Sequence, residues 1–335
     1  MKFKIFDNTF QPGEMATLAM PLPSQYSCAP MYLPIKILNG VNEGPCILIF
    51  GMVNGDEFNS IEIINSLLEK TNPKQLNGTI VAIPVLNVFG LVHSIKHNPT
   101  LEQAFPGDEN GSYMHRYAYR ITQEIIKKAN YSIQIKTGAI NHEILPQVYF
   151  NGEDEESIKM ARAFQAPVIT AVNMNQSSIR KIHQDLDIPF ICYEAGEANK
   201  FGEEAINVGI AGIQNVMRKI ALLEDQEFIQ QLKPLVSEDT EWTVSDKPGI
   251  LRTEIELGTR VKEGQKIGKL IDPFGNDESI YLKSPIDGII LGINNYPMIK
   301  EGDLVFKISS FQDDEKAEAK IEDWEEITKE NFSDE

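Results

Sequence analysis

Residues 46–57 read CILIFGMVNGDE, an apolar run that ends in a short polar turn. The run predicts a buried strand, and residues 57–70 carry apolar side chains at helical spacing, which predicts a helix. A strand that leads through a turn into a helix is typical of proteins in which helices cover the faces of a sheet. Ligands of open α/β sheets bind beyond the carboxyl ends of strands, so the turn is also the first candidate for a functional site.

The same alternation of strand and helix patterns continues from about residue 45 to residue 224. The strand candidates are PCILIFGM, GTIVAIPVLN, YSIQIKTG, PVITAVNM and PFICYEAGE, and the helix candidates between and after them are residues 57–70, 112–128, 156–165, 177–187 and 203–223. This order predicts an α/β domain over residues 1–235, with a β-type lead-in at its N-terminus.

A second domain is predicted after residue 235, because short β runs with glycine-containing turns replace the helical periodicity. VKEGQKIGKL (261–270) and IKEGDLVFKI (299–308) are nearly the same phrase. Such a repeat predicts two related strand pairs, packed as a small sandwich within residues 236–311. Residues 312–335 hold eleven acidic residues against three lysines. They predict a solvated acidic tail, although Trp324, Ile327 and Phe332 leave a short docking helix open.

The composition excludes several classes of partner. The formal net charge of -18 over 335 residues argues against nucleic acid and against anionic membrane surfaces, which both attract clustered Lys and Arg. No apolar run approaches the roughly 20 residues that span a bilayer. The three cysteines, Cys28, Cys46 and Cys192, are widely separated and predict buried free thiols. These features predict a cytoplasmic protein.

Polar residues follow three of the predicted strands. Asn54 to Glu57 come after CILIFGMV, Lys136-Thr137-Gly138 come after YSIQI, and Glu194-Ala195-Gly196 come after PFICY. The segment LEQAFPG (101–107) lies in the long connection after IPVLN. Since the carboxyl ends of parallel strands meet at one sheet edge, we expect these residues to form a common site.

GMVNGDE, IPVLN, LEQAFPG, IQIKTG and CYEAG, in this order and at these spacings, resemble the succinylglutamate desuccinylase/aspartoacylase family. The resemblance extends from about Ile35 to Ile308, because GILRTEIELGTRVKEGQ and YLKSPIDGIILG resemble the family's C-terminal domain. It implies an α/β fold with a zinc-carboxypeptidase-like mixed sheet flanked by helices, plus a smaller all-β barrel-sandwich domain of the biotinyl/lipoyl type. Lys283 is followed by Ser284-Pro285 and lacks the neighbours of a modified carrier lysine, so no swinging arm is expected.

The family's chemical residues match less well than its fold motifs. The resemblance implies that His-Gly-Asp-Glu supplies two zinc ligands, but Asn54 stands at the His position and only Glu57 is kept. Lys136 stands at the position of the third ligand, a second His. Glu194 occupies the position of the family's general base.

The family's substrate clamp is altered as well. The resemblance implies an Asn and an Arg that hold the substrate, and Glu102 and Gln103 stand in their places. Together with Asp56 and Lys136, these two residues are the predicted lining of the substrate pocket. With Asp56, Glu57, Glu102 and Glu194 present, the pocket is predicted to be more acidic than that of the family.

A catalytic zinc ion needs three protein ligands and an open position for water, and Asn is a weak donor to zinc. A protonated Lys136 would also repel the ion. We therefore expect no normal zinc centre, and we predict that the Lys136 ammonium pairs with Glu57 and Glu194 instead. His93, His97, His115, His142 and His183 are the remaining candidate ligands, and each is expected to be a loop or surface residue.

These patterns predict a degenerate, non-hydrolytic member of the family, a pseudoenzyme that needs no cofactor. It would bind a small neutral or cationic ligand, or a protein partner, through the remodelled pocket. The alternative is a metal-dependent amidohydrolase or deacylase of N-acyl amino acids or peptides, with zinc in an altered site. A third interpretation is a dimerisation or scaffold role, and a homo-oligomer stays open in each case.

Overall fold

A mixed sheet of 13 strands, counted among the described residues, runs through the whole molecule. The computed structural model describes residues 2–23, 30–93, 100–224, 233–275 and 279–332. The strands are β1 (Phe3–Ile5), β2 (Asn8–Phe10), β3 (Met15–Pro21), β4 (Tyr32–Asn39), β5 (Asn42–Gly51), β6 (Asn77–Ile83), β7 (Tyr131–Lys136), β8 (His142–Phe150), β9 (Val168–Ala171), β10 (Phe190–Gly196), β11 (Leu235–Ser237), β12 (Thr240–Val244), β13 (Gly249–Arg252), β14 (Arg260–Val261), β15 (Lys266–Ile271), β16 (Ile280–Lys283), β17 (Gly288–Asn294), β18 (Met298–Ile299) and β19 (Leu304–Ser309). The main path of the large sheet is β12-β19-β17-β8-β10-β7-β5-β6-β4-β3.

Helices cover both faces of this sheet. They are α1 (Asn59–Lys70), α2 (Val88–His93), α3 (Leu101–Ala104), α4 (Tyr113–Glu124), α5 (Glu155–Phe164), α6 (Ser178–Asp185), α7 (Glu203–Lys219) and α8 (Asp314–Phe332), with short 3-10 turns at Pro73–Gln75, Ile126–Lys128 and Met174–Gln176. α1, α5 and α7 pack on one face, and α4 and α6 pack on the other. The predicted α/β class, with a mixed sheet between helices, is confirmed.

Three parallel strands, β5, β7 and β10, bring the predicted site residues to one sheet edge. β7 lies between the other two, with Gly51 opposite Ile135 and Glu194 opposite Lys136. Because the strands are parallel, their carboxyl ends meet, and the turns that follow them share the same edge. Helix α1 begins at Asn59, two residues later than predicted, so Glu57 lies in the turn itself.

Strand β8 was not predicted, although it lies next to the site. It pairs antiparallel with β10 on one side and with β17 of the predicted second domain on the other. Pro146 lies within its sequence, HEILPQVYF, and a proline in a run argues against a central strand. Because β8 pairs with both β10 and β17, it joins the two predicted domains into one continuous sheet.

Residues 236–311 form the expected small β sandwich. The repeated phrase forms strand, glycine turn and strand twice, with Gly264 at φ 77° and Gly302 at φ 85° in the two turns. β15 belongs to a four-stranded sheet and β19 to the large sheet. The two sheets enclose a separate apolar core between them, which includes Leu270, Phe306 and Ile308.

For the part of residues 312–335 that the structure describes, the prediction of a solvated acidic tail is wrong, and the alternative of a docking helix is correct. These residues form helix α8, whose buried side chains recur at helical spacing: Ala317, Ile321, Trp324 and Thr328. Trp324 joins the core under α7, while Ala317 and Ile321 pack on β17. The many exposed acidic residues hid this apolar stripe in the composition. Among the described residues, no helix has both the length and the apolarity that crossing a membrane requires.

Candidate functional site

The turn between β5 and α1 buries the side chain of Glu57. Two residues of this turn, Met52 and Gly55, have positive φ angles of 49° and 84°. A Cβ atom on Gly55 would lie 2.6 Å from the carbonyl carbon of Gly90, so only glycine fits there. The chain thereby curls back over the Glu57 side chain, which is 2% exposed.

Both carboxylate oxygens of Glu57 accept hydrogen bonds from this turn. The backbone N–H groups of Val53 and Asn54 donate to Oε2 at 2.8 and 3.4 Å, and Asn54 Nδ2 donates to Oε1 at 2.9 Å. Burial raises the pKa of Glu57, and the charge of Lys136 and the Asn54 hydrogen bonds oppose that rise. Asn54 thus serves as a side-chain hydrogen-bond donor to Glu57.

Lys136 ends β7, and its ammonium group lies among carboxylates. Its direct partner is Glu102, with 3.7 Å between Lys136 Nζ and Glu102 Oε2. The partner is therefore not Glu57 or Glu194, as predicted, and these two act on Lys136 over a longer distance. Burial alone would lower the pKa of Lys136, but the charges of Glu102, Glu57 and Glu194 raise it above its ordinary value. Lys136 is therefore protonated at neutral pH.

Glu102 is fixed from a second side by helix α6, because Ser177 Oγ donates to its Oε1 at 2.7 Å. Gln103, next to it, points away from the site. Gln103 Oε1 accepts the N–H of Thr100 at 3.2 Å, and Thr100 Oγ1 accepts the N–H of Gln103, so the pair forms a capping box for α3. Gln103 is exposed and occupied at this helix end, whereas it was predicted to line the pocket.

Asp56 is half-buried in the same turn, and its carbonyl accepts the N–H of Asn199 at 2.9 Å. Burial is the main cause of the raised pKa of Glu57, and the charge of Asp56 raises that pKa further. The structure thus brings Asp56, Glu57, Glu102, Lys136 and Glu194 to one sheet edge and leaves Gln103 at the end of a helix.

Glu194 lies near the carboxyl end of β10 and accepts a hydrogen bond from Tyr149 Oη on its Oε2 at 2.8 Å. Tyr149 in turn accepts from the ammonium group of Lys307, which belongs to β19. The guanidinium of Arg180, on α6, lies 5.3 Å from the centre of the Tyr149 ring. No carboxylate among the described residues forms an ion pair with Arg180. The site therefore has a second group of polar residues around Tyr149.

Sequence reasoning missed Tyr149, Arg180 and Lys307. Tyr149 lies on the unpredicted β8, and Lys307 lies inside a strand whose other residues are mostly apolar. Arg180 follows a helix start, where a basic residue usually faces solvent. The one available signal was Lys307, since a lysine within an apolar β run is unusual in a strand that is buried on both faces.

The residues present do not fit a zinc ion. Both Glu57 oxygens already accept N–H groups, Asn54 is a weak donor to zinc, and Lys136 adds a positive charge. Within the described ranges, no three His, Cys, Asp or Glu side chains are arranged to hold a metal ion. A zinc hydrolase needs three ligands and an open position, and of the three ligand positions of the family only Glu57 keeps a ligating side chain, whose two oxygens are already engaged.

The remaining histidines do not rebuild a metal site in the part of the chain that the structure describes. His142 has its two ring nitrogens 3.0 Å from the carbonyls of Ile140 and Leu304, and His115 Nδ1 bonds Ser112. His183 is completely buried, which corrects the prediction of a surface residue, and it stacks on Phe50 and Phe190. His97 and the side chain of His93 lie outside the described residues, as does Cys28, while Cys46 and Cys192 are buried free thiols as predicted.

Two cavities of ≈ 600 and ≈ 810 Å³ border the sandwich domain, and none of the charged residues predicted for the site lines either of them. The first lies between the two domains, is rich in glutamates and reaches Gly196 at the end of β10. The candidate site is therefore defined by the charged side chains at the carboxyl ends of β5, β7 and β10, and not by either cavity.

Comparison with known proteins gives a matching family and several structural neighbours. The model of the succinylglutamate desuccinylase/aspartoacylase catalytic domain matches residues 43–220. A curated relative, the N-alpha-acetyl-L-2,4-diaminobutyric acid deacetylase of Halomonas elongata, is 22% identical over 272 residues, which are 76% of this chain and 79% of the relative. This relative is a deacylase.

Solved structures agree with this chain in fold. A product-bound ectoine utilization protein from Ruegeria pomeroyi has a TM-score of 0.80 at 16% identity, covering 88% of this chain and 95% of that one. A succinylglutamate desuccinylase/aspartoacylase from Rhodobacter sphaeroides has a TM-score of 0.79 at 18% identity, covering 90% and 96%. These likenesses span both predicted domains.

Proposed function

Because the chain belongs to the succinylglutamate desuccinylase/aspartoacylase family, we propose that it binds a small molecule at this sheet edge without a catalytic zinc ion. The internal cation Lys136 takes the place of the metal and neutralises the carboxylates around it. The protein is then a non-hydrolytic member of a family whose curated relative is a deacetylase. A protein partner at the same pocket and a homo-oligomer stay predictions.

One observation carries this proposal, namely the arrangement of Asn54, Glu57 and Lys136. Asn54 donates to Glu57 and Lys136 is held protonated by three carboxylates, so the two substitutions support each other. A buried carboxylate that has lost its metal would be destabilising unless a cation or hydrogen-bond donors compensated it. Both kinds of compensation are present here, which is what a stable metal-free site requires.

The charge around the site favours a ligand without net negative charge. Glu102 and Glu194 are balanced by Lys136 and by the Tyr149 hydroxyl. Arg180, which forms no ion pair among the described residues and lies beside Tyr149, is the proposed partner of one ligand carboxylate. A ligand that carries one carboxylate and one ammonium group would satisfy Arg180 and an acidic residue together. Nα-acetyl-L-2,4-diaminobutyrate, the compound named for the curated relative, has this charge pattern and is a suitable probe.

The test combines metal analysis with binding and turnover. We expect purified protein, supplied with zinc and then desalted, to hold far less than one zinc per chain by elemental analysis. Titration calorimetry should show binding of Nα-acetyl-L-2,4-diaminobutyrate without acetate release. N-acetylaspartate and N-succinylglutamate, which carry extra carboxylates, should bind about tenfold more weakly, because each buried unpaired charge is penalised.

A second candidate function is a metal-dependent deacylase, favoured by the retention of Glu57 and Glu194 and by the activity of the curated relative. Stoichiometric zinc together with acetate release would establish it and overturn the metal-free proposal. The double variant Asn54→His with Lys136→His should take up zinc if the site geometry is otherwise that of the family. Asn151→His with Lys159→His, which adds two histidines at other positions, is the matched control and should not.

A further inference from the structure

Lys307 belongs to the second domain, yet its side chain enters the first. It lies on β19, and only 7% of the residue is exposed. Its neighbours Val305, Phe306 and Ile308 are apolar and completely buried. Gly292 lies opposite Lys307 on β17, and a Cβ atom there would lie 2.7 Å from Ile144 Cδ1 and 3.0 Å from Lys307 Cβ. The strands are therefore closely packed around the point from which the Lys307 side chain leaves β19.

The ammonium group of Lys307 has no carboxylate within ion-pair distance among the described residues. It donates to Gln147 Oε1 at 3.2 Å and to Tyr149 Oη, and it lies 5.0 Å from the centre of the Tyr149 ring. Burial lowers the pKa of Lys307, and the charge of Glu194 opposes this. A buried lysine with only neutral direct partners is destabilising relative to an apolar residue of the same size. Its presence therefore needs an explanation other than stability.

The hydrogen bonds around Tyr149 have one possible direction while Lys307 is protonated. An ammonium group has donors and no acceptor, so the Tyr149 oxygen must accept from Lys307. The single hydroxyl proton of Tyr149 is then left for Glu194 Oε2. Gln147, next to Glu194 across β8 and β10, fixes the ammonium group from its other side. No described residue donates to the remaining oxygen of Glu194, Oε1.

We propose that Lys307 is a positioning residue: from the second domain it fixes the Tyr149 hydroxyl as a donor to Glu194 and so presents the other Glu194 oxygen to the ligand. The part of this inference that concerns the ligand rests on the proposed function. The direction of the hydrogen bonds from Lys307 through Tyr149 to Glu194 does not rest on it. The role of Lys307 and the identity of the ligand can therefore be tested separately.

The first test needs no ligand. The protein is labelled with tyrosine carrying ¹³C at Cζ, and the Tyr149 signal is assigned by its loss in Tyr149→Phe. In the natural sequence, Glu194→Gln should shift the Tyr149 signal, because the hydroxyl loses its charged acceptor. In a Lys307→Met background, Gln147 Oε1 loses its donor and can compete with Glu194 for the hydroxyl proton, so the shift caused by Glu194→Gln should be at most about half as large. An equal shift in both backgrounds would overturn the proposal.

The second test compares binding with stability. Lys307→Met should weaken binding of Nα-acetyl-L-2,4-diaminobutyrate about tenfold or more, while the melting temperature stays the same or rises, because a buried charge is removed. Lys266→Met is the matched control, since Lys266 also lies over a tyrosine ring in the second domain, 3.8 Å from the centre of Tyr281. It should leave binding unchanged.

The outcomes separate the two proposals. If the natural protein does not bind the probe, the proposed ligand class is wrong, and the tyrosine signals still decide the role of Lys307. A fall in melting temperature of Lys307→Met with an unchanged Tyr149 response would show that Lys307 only joins the domains, and the positioning role would be rejected.

Discussion

Lys136 supplies a positive charge that three carboxylates need. Its raised pKa means that the folded state holds this proton more tightly than the unfolded chain does. The stability that it contributes is complete below the ordinary lysine pKa and is lost only as the pH rises through the folded value. At neutral pH, Lys136 is therefore fully protonated in the folded state and stabilises Glu57, Glu102 and Glu194. Its removal should lower the stability of the protein measurably.

Replacing Lys136 by Met should lower the free energy of unfolding by about 3 kcal/mol at pH 7, because a partly buried cation is removed from its carboxylates. The pKa of Glu57 should rise further, since Lys136 opposes its elevation. Urea unfolding at pH 7 and pH 5 measures both effects, and the loss should be smaller at pH 5. Lys159→Met, which breaks an exposed pair with Glu156, is the control and should leave stability nearly unchanged.

His183 makes the stability of the first domain sensitive to acid. Burial lowers the pKa of His183 to about 4 from the ordinary 6.5, so the unfolded chain binds its proton first as the pH falls. Stability from this group is present above the unfolded pKa and is lost between pH 6.5 and 4, by about 3 kcal/mol at 1.36 kcal/mol per unit.

We expect His183→Leu to remove this part of the pH dependence, because leucine fits between Phe50 and Phe190 and cannot take up a proton. The free energy of unfolding is measured by urea at several values between pH 6.5 and 4, and the difference between variant and natural protein should shift steadily in favour of the variant toward acid. A constant difference over this range would contradict the prediction. His115→Leu, whose ring contacts Ser112 in an exposed bond, is the control.

At the scale of elements, the strands and helices with a clear apolar periodicity were predictable. Elements whose pattern is interrupted, as β8 is by Pro146, were not. β5, β7 and β10 and their polar ends could be predicted because a buried parallel strand is a continuous apolar run. β8 was missed because Pro146 lies inside it. The partners of Lys136, Glu194 and Gln103 could not be predicted, since they depend on how α3, β8 and β19 pack against the site.

Helix α8 shows a similar conflict between composition and packing. Its overall composition is that of a disordered tail, yet three apolar residues on one stripe, Ala317, Ile321 and Trp324, dock it on the core. Its acidic residues also have a partner, because Arg260 forms ion pairs with Glu315 and Glu318. Spacing therefore carried information that the charge count concealed.

Trp324→Ala should lower the free energy of unfolding by about 3 to 5 kcal/mol, because it removes a large side chain that is 5% exposed and leaves a cavity. Urea unfolding followed by circular dichroism measures this loss. Glu322→Ala, on the exposed side of the same helix, should change stability by less than about 0.5 kcal/mol. Equal effects of the two variants would mean that α8 is not docked.

At the scale of the whole molecule, the two predicted domains share one sheet. β8 pairs with β10 of the first and β17 of the second, and the large sheet continues through β19 to β12. Helix α8 then returns over the junction, with Trp324 in the core of the first domain and Ile321 against β17. Lys307 adds a polar link at the same boundary. The apolar cores are separate, but the backbone ladder and the helix connect them.

The chain should therefore unfold in one cooperative transition rather than two. Differential scanning calorimetry should give a single peak whose calorimetric enthalpy equals the van't Hoff enthalpy, which is the criterion for two-state behaviour. Residues 1–235 produced alone would lose the pairing of β8 residues 142–144 with β17, whereas β9 would still cover residues 147–150. Because unpaired edges promote association, this fragment should aggregate. Two resolved peaks in the intact chain, or a monomeric and folded fragment, would show that the second domain is an independent unit and that Lys307 reaches the site across a separable interface.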